Sequence, residues 1–334
     1  MAGFLFLGDA LKYTKPPLTF EEQADLLIQR GLVVQNRQGL IEKLRVVNYY
    51  RLSAYWIPFR QPNETLRPAT TLELVWNRYT FDRQLRLLVM DAVERVEVAF
   101  RTRMAELHAS KHGAFGYLDR ATFSPNTNLS SAVKSHVKRF LRNILPCALA
   151  KQKGLMDSHD EFVLRLRKIA SESKEEFVRH FFSRYSSEAD LPVWMAVEIM
   201  TLGNVLSMFQ RFPREDKKTL AGVFGVIPPV MESWLLTLNY VRNICAHHSR
   251  LWNRTLAIRP FIPHKKHGQE WHAPVAVAND KIFGVLTILM FLLKRIAPQS
   301  RWADRLKDLM ARYPDIPLAE MGFPANWKDC PIWI

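Results

Sequence analysis

The chain has 334 residues, 48% of them hydrophobic, with 47 Lys and Arg against 32 Asp and Glu, a formal net charge of +15 and a pI near 9.8. That length accommodates one large domain or two ordinary ones with a sizeable core, and the basic excess favours a polyanionic partner, nucleic acid first and an anionic membrane surface second. Cys147, Cys245 and Cys330 lie far apart with no CxxC pair, which argues against a zinc ribbon or a disulfide framework and fits a reducing cytoplasm.

"MAGFLFLGDALKY" lacks the charged start and full apolar core of a signal peptide. The most apolar run, residues 282–293, is too short to span a bilayer. A cytoplasmic protein with no membrane role is expected. Glycine is scarce, and apolar residues recur at three- and four-residue spacing, so the fold class is all-α. Thr19 and Glu22 stand at capping-box spacing and start a helix that ends near Gly31. A short helix over residues 37–46 follows, then "YYRLSAYWIPFR" and a loop punctuated by Pro62 and Pro68. A long helix is expected over residues 71–109, with a break near Tyr79. After a glycine- and proline-marked loop come a basic helical stretch at 130–153 and helices at 161–171 and 175–185. Residues 191–212 read as one helix with Pro192 in its first turn. Further helices are expected at 215–224, 230–252, 281–296 and 302–313, with an irregular segment at 254–279 and a proline-rich tail. The organisation expected is a helical region at 1–70, a core at 71–300 with a basic insertion at about 120–188, and a closing helix and tail at 301–334.

Within residues 230–252 lies "LNYVRNICAHHSRLWNR". At about 100° per residue, with Asn239 at zero, Arg250, Asn243 and His247 fall near 20°, 40° and 80°, and Arg242 near 300°. They form one polar arc about 140° wide. His248 falls near 180°, inside the apolar arc, so it is expected to point into the core. A histidine exchanges protons at neutral pH, and an arginine stabilises charge developing on a phosphate. Asn243 can orient the imidazole or the substrate. Arg242, Asn243 and His247 therefore suit metal-free phosphodiester cleavage in which the RNA 2′-hydroxyl attacks, leaving a 2′,3′-cyclic phosphate and a 5′-hydroxyl. No cofactor is called for. The bland alternative is a solvated helix face.

"YVRNICAHHSRLWNR" resembles the R-x4–6-H motif of HEPN ribonuclease domains. With "YYRLSAYWIPFR", "FDRQLRLLVMDAVERVEVAFRTR", "FGYLD", "LPVWMAVEIMTLGNVLSMF" and "MGFPANWKDCPIW", the chain resembles the AbiD/AbiF-like abortive-infection proteins of bacteria over nearly its whole length. The resemblance implies an all-α, HEPN-like helical bundle with an N-terminal helical extension and a helical insertion. It further implies a phage-defence endoribonuclease toxin restrained by a partner such as a small non-coding RNA, and a homodimer in which two motifs meet in a composite site. It carries Arg242, Asn243 and His247 over as catalytic candidates. The competing reading is a non-catalytic RNA-binding defence module.

Other residues are further candidates. Glu198, Asn204, Asn239 and Arg250 could support the site, with Gly203 permitting close helix approach. Lys134, Lys138, Arg139, Arg142, Arg165, Arg167, Lys265 and Lys266 are candidate phosphate contacts. Arg101 and His108 form a second R-x6-H string, for which a salt bridge from Glu97 to Arg101 beside a surface histidine is the plainer reading. His264, His267 and His272 lack the convergence a metal site needs. The aromatic residues of "NYYRLSAYW" could stack on bases, although core packing explains them as well.

Overall fold

The computed structural model describes residues 16–124 and 159–334. The described residues are mostly helical and contain no strand, so the chain is all-α. It divides into two compact units, Met1–Phe81 and Asp82–Ile334.

In the first unit, α1 (Phe20–Gln29) opens with both halves of the capping box. Glu22 N–H donates to Thr19 Oγ1 at 3.2 Å, and Thr19 N–H donates to Glu22 Oε2 at 2.7 Å. Gly31, at φ +94°, turns the chain out of the helix. Asn36 and Asn48 cap α2 (Arg37–Val46) and α3 (Tyr49–Trp56) by accepting from Gly39 and Tyr50 N–H. Ala24, Leu27, Leu40, Ile41, Leu44, Leu52 and Tyr55 are buried between these helices. Helix α4 (Leu72–His112) follows as one 41-residue helix, without the expected break near Tyr79. Tyr79 instead packs edge-on against Tyr55 at 5.5 Å.

The second unit contains α5 (His159–Glu172), α6 (Glu176–Arg184), α7 (Val193–Ile199), α8 (Leu202–Arg211), α9 (Arg214–Val223), α10 (Pro228–Ala246), α11 (Ile282–Ile296) and α12 (Trp302–Arg312). Residues 191–212 are therefore two helices and not one. The break at Met200 is fixed from outside: the Arg101 guanidinium donates to the Glu198 carbonyl at 3.1 Å and the Met200 carbonyl at 2.6 Å, and Thr201 caps α8 through Asn204 N–H.

The core is built on α10 and α11. The first twelve residues of α11 are all buried, as expected of its unbroken apolar run. Trp234, Trp271 and Phe291 pack ring to ring, and Trp234 Nε1 donates to the Phe261 carbonyl at 2.7 Å. That bond and Phe261 N–H to Ser233 Oγ at 2.9 Å fasten the irregular segment onto α10. The tail closes over α11 with Phe323 and Trp333 against Phe283 and Trp327 against those two rings, and Trp333 Nε1 donates to Thr287 Oγ1 at 2.9 Å. No single described helix is long and apolar enough to cross a membrane.

Candidate functional site

Helix α10 carries Asn239, Arg242 and Asn243 but stops at Ala246, inside the motif. Its end has the pairing of a Schellman turn: Ser249 N–H bonds the Ile244 carbonyl at 2.9 Å, and His248 N–H bonds the Cys245 carbonyl at 3.0 Å. His247 is the capping residue, its N–H on the Asn243 carbonyl at 3.0 Å. His248 occupies the left-handed position, φ +55°, where glycine is usual. The expectation that His248 points into the core is overturned, because it rested on a helix continuing through Trp252. His248 is exposed.

Arg242, Ala246 and His247 are also exposed, and Asn239 and Asn243 are half-buried. No hydrogen bond or ion pair ties the side chain of Arg242 or His247 to another described residue. The wall behind them is apolar: Val241, Ile244 and Cys245 are buried, and burial pushes the Cys245 thiol up to about 12. The arrangement is an arginine and a histidine, both exposed, at a helix terminus.

The segment just after the histidines is clamped by residues that the sequence reading did not single out. Asp82, fully buried on α4, accepts from Trp252 N–H at 2.7 Å and Leu251 N–H at 3.1 Å. The same carboxylate pairs with the buried Arg86 one turn along, and Arg86 reaches the Ser249 carbonyl at 3.4 Å. An Asp and an Arg at i,i+4 inside the apolar face of α4 was the available signal.

Helices α8 and α10 pack together and bring part of the supporting set near the motif. Asn204 is buried at the start of α8, and the neighbouring Gly203 faces the Asn239 amide. A Cβ at Gly203 would stand 3.8 Å from Asn239 Nδ2, an ordinary contact, so the approach does not require glycine. Glu198 is exposed, and its carbonyl, not its carboxylate, is engaged. Arg250 is half-buried and lies past the helix end, so the helical wheel does not place it beside Arg242.

Arg101 and His108 have structural surroundings. Arg101 pairs with Glu97 and holds the α7 carbonyls. His108 is buried, not at the surface, and its ring stacks on those of Phe123 and Phe212 at 5.3 Å each. Burial, with the neighbouring His112, pushes it down to about 4. Arg167 makes a two-pronged pair with Asp190 at 2.8 and 2.7 Å. Arg165, Lys265 and Lys266 are exposed. Lys134, Lys138, Arg139 and Arg142 lie outside the described residues. His264 Nδ1 accepts from Lys266 N–H, and His272 Nε2 bonds the Pro263 carbonyl at 2.7 Å, so each ring serves its own loop.

Searches of curated proteins and of solved structures returned no match. The model of the family described as Abi-like protein matches residues 42–253, more than half of the chain. The match takes in the Asp82–Arg86 clamp and the whole Arg242–His247 motif, and the chain belongs to the Abi-like family.

Proposed function

We propose that this protein is a metal-independent endoribonuclease toxin of HEPN type that acts in the cytoplasm in bacterial abortive infection, restrained at rest by a small non-coding RNA. The observation that carries the reading is the joint exposure of Arg242 and His247 at a helix end whose next residues are pinned by a buried carboxylate. His247 takes the proton from the RNA 2′-hydroxyl as that oxygen attacks phosphorus. Arg242 bears the charge that builds on the phosphoryl oxygens. The phosphorus–O5′ bond breaks, the 5′-oxygen takes a proton from water, the proton on His247 returns to solvent, and the products are a 2′,3′-cyclic phosphate and a 5′-hydroxyl. Asn243 orients the imidazole or the phosphate from one turn earlier.

Residues five apart on a helix point about 140° apart. Arg242 and His247 of one chain therefore flank the face centred on Asn239 and Ala246. A second copy of the chain, packed on that face, brings an arginine opposite a histidine, so the active form is a homodimer. Lys265, Lys266 and Arg165 add basic surface for the RNA backbone.

RNA cleavage by purified wild type, Arg242→Ala and His247→Ala in EDTA, with product ends identified, tests the reading. Wild type is expected to give cyclic-phosphate ends that both variants lose, whereas His248→Ala keeps cleaving. Tight RNA binding with no cleavage by wild type, even after its bound RNA is stripped, would favour a non-catalytic binding module.

A further inference from the structure

In the first unit, α1, α3 and the loop before α4 enclose a cavity of about 660 Å3, within the range of small-ligand clefts, about 300–1,000 Å3. Its walls are largely apolar and aromatic. Trp56 and Tyr49 meet edge to face at 5.0 Å, Tyr49 meets Tyr50 at 5.7 Å, and Tyr50 remains 74% exposed at the mouth. An aromatic ring left this bare beside a cavity offers a stacking face. At the rim stand two guanidiniums, Arg30 and Arg60, which share one carboxylate, Glu64. Arg30 donates to Glu64 Oε2 at 2.7 Å and to the Tyr49 hydroxyl at 3.2 Å.

We propose that this cavity binds a phosphorylated nucleoside, with the base against Tyr50 and the phosphate between Arg30 and Arg60. Two planar guanidiniums side by side match the oxygens of a phosphate, whereas one carboxylate leaves the pair with a positive charge in excess. Glu64 stands where that phosphate would go. It is held there with φ +67°, a left-handed backbone that a side-chain-bearing residue adopts at a cost. The Glu64 carboxylate is an internal stand-in that the phosphate displaces. Gln23 and Asn48 line the same wall, the Gln23 amide donating to the Leu18 carbonyl at 2.9 Å and the Asn48 oxygen capping α3. The site uses only residues of the first unit, so it stands apart from the cleavage reading, and either can fail without the other.

Titration with the fluorescent nucleotide ethenoadenosine monophosphate tests the site. The full chain is expected to bind the probe, with displacement by adenosine monophosphate but not by adenosine. Glu64→Gln, which removes the competing charge, tightens binding about tenfold, the worth of one charge-assisted hydrogen bond. Arg60→Ala and Tyr50→Ala each weaken it about tenfold or more. All three side chains lie at the rim or mouth, and thermal melts confirm that the variants are folded. Adenylate oligomers with and without a 5′-phosphate distinguish the source: preference for the phosphorylated oligomer over the mononucleotide names an RNA end, and the reverse names a free nucleotide. Absence of binding by both wild type and Glu64→Gln overturns the proposal. Binding unchanged in Arg60→Ala and Tyr50→Ala, or displacement by decanoate as readily as by the nucleotide, overturns it as well.

Discussion

Replacing Asp82 by Ala removes one carboxylate that serves three donors. The Leu251 and Trp252 amides lose their acceptor in a fully buried place, at about 1–3 kcal/mol each. Arg86, only 6% exposed, loses its counter-charge, and breaking a buried pair by removing one partner costs about 3–5 kcal/mol. These contributions share one network and do not add, so the expected loss is about 4 kcal/mol. For a unit of this size that lowers the thermal midpoint by about 8–16 °C. Urea and thermal melts followed by tryptophan fluorescence measure it. Asp82→Ala combined with Arg86→Met is expected to lose less than the sum of the single changes, because the stranded guanidinium is gone. A loss below about 1 kcal/mol for Asp82→Ala would refute the clamp as the element that fixes the chain after the two histidines.

Further outcomes follow from other sites. His108 takes up its proton near pH 4 in the native protein and near pH 6.5 when unfolded, so its contribution is intact above pH 6.5 and is lost as the pH falls towards 4, about 3 kcal/mol in all. His108→Phe should flatten the stability profile in that window, measured by urea melts at stepped pH. His248→Gly should raise stability by about 1 kcal/mol, since glycine takes a left-handed φ without the steric cost, and a lower urea midpoint would contradict the turn described. Gly284→Ala should destabilise by about 1–3 kcal/mol even though alanine is the better helix former, because its Cβ would collide with the Ala278 carbonyl oxygen. An unchanged melting midpoint would show that this contact relaxes freely.

Local signals were legible in the sequence, and long-range ones were not. The Thr19–Glu22 box, the bounds of α2 and the buried character of α11 depend on residues within a few positions of each other, and all appear as read. The break between α7 and α8 was hidden because apolar spacing continues across it, and the residue that fixes it, Arg101, lies about a hundred positions upstream. The end of α10 was hidden for a different reason. No glycine marks the turn; a histidine fills the left-handed position. The wheel therefore carried the helix too far and placed His248 in the core. His247, the capping residue at the helix end, is exposed. Asp82 and Arg86 lie together on α4, yet the Leu251 and Trp252 amides that Asp82 holds and the Ser249 carbonyl that Arg86 reaches are more than 160 positions away, beyond any spacing rule.

The helix end also determines how a dimeric site would divide its labour. Arg242 and His247 diverge by about 140° on one chain, so in the homodimer proposed above each phosphate would be served by the arginine of one copy and the histidine of the other. An isologous pair then contains two equivalent sites. Arg242→Ala and His247→Ala are each inactive alone, since every site in either homodimer lacks one group. When the two are mixed and allowed to exchange subunits, half of the dimers are mixed, and each of those has one complete site out of two. About a quarter of wild-type cleavage should return, on statistical grounds alone. Recovery is read as cyclic-phosphate product against the two variants unmixed, with subunit exchange verified by differently tagged copies. No recovery despite verified exchange would mean that one chain supplies both groups to the same phosphate, or that both histidines are needed at each one. Either result would refute the proposed division between the two copies.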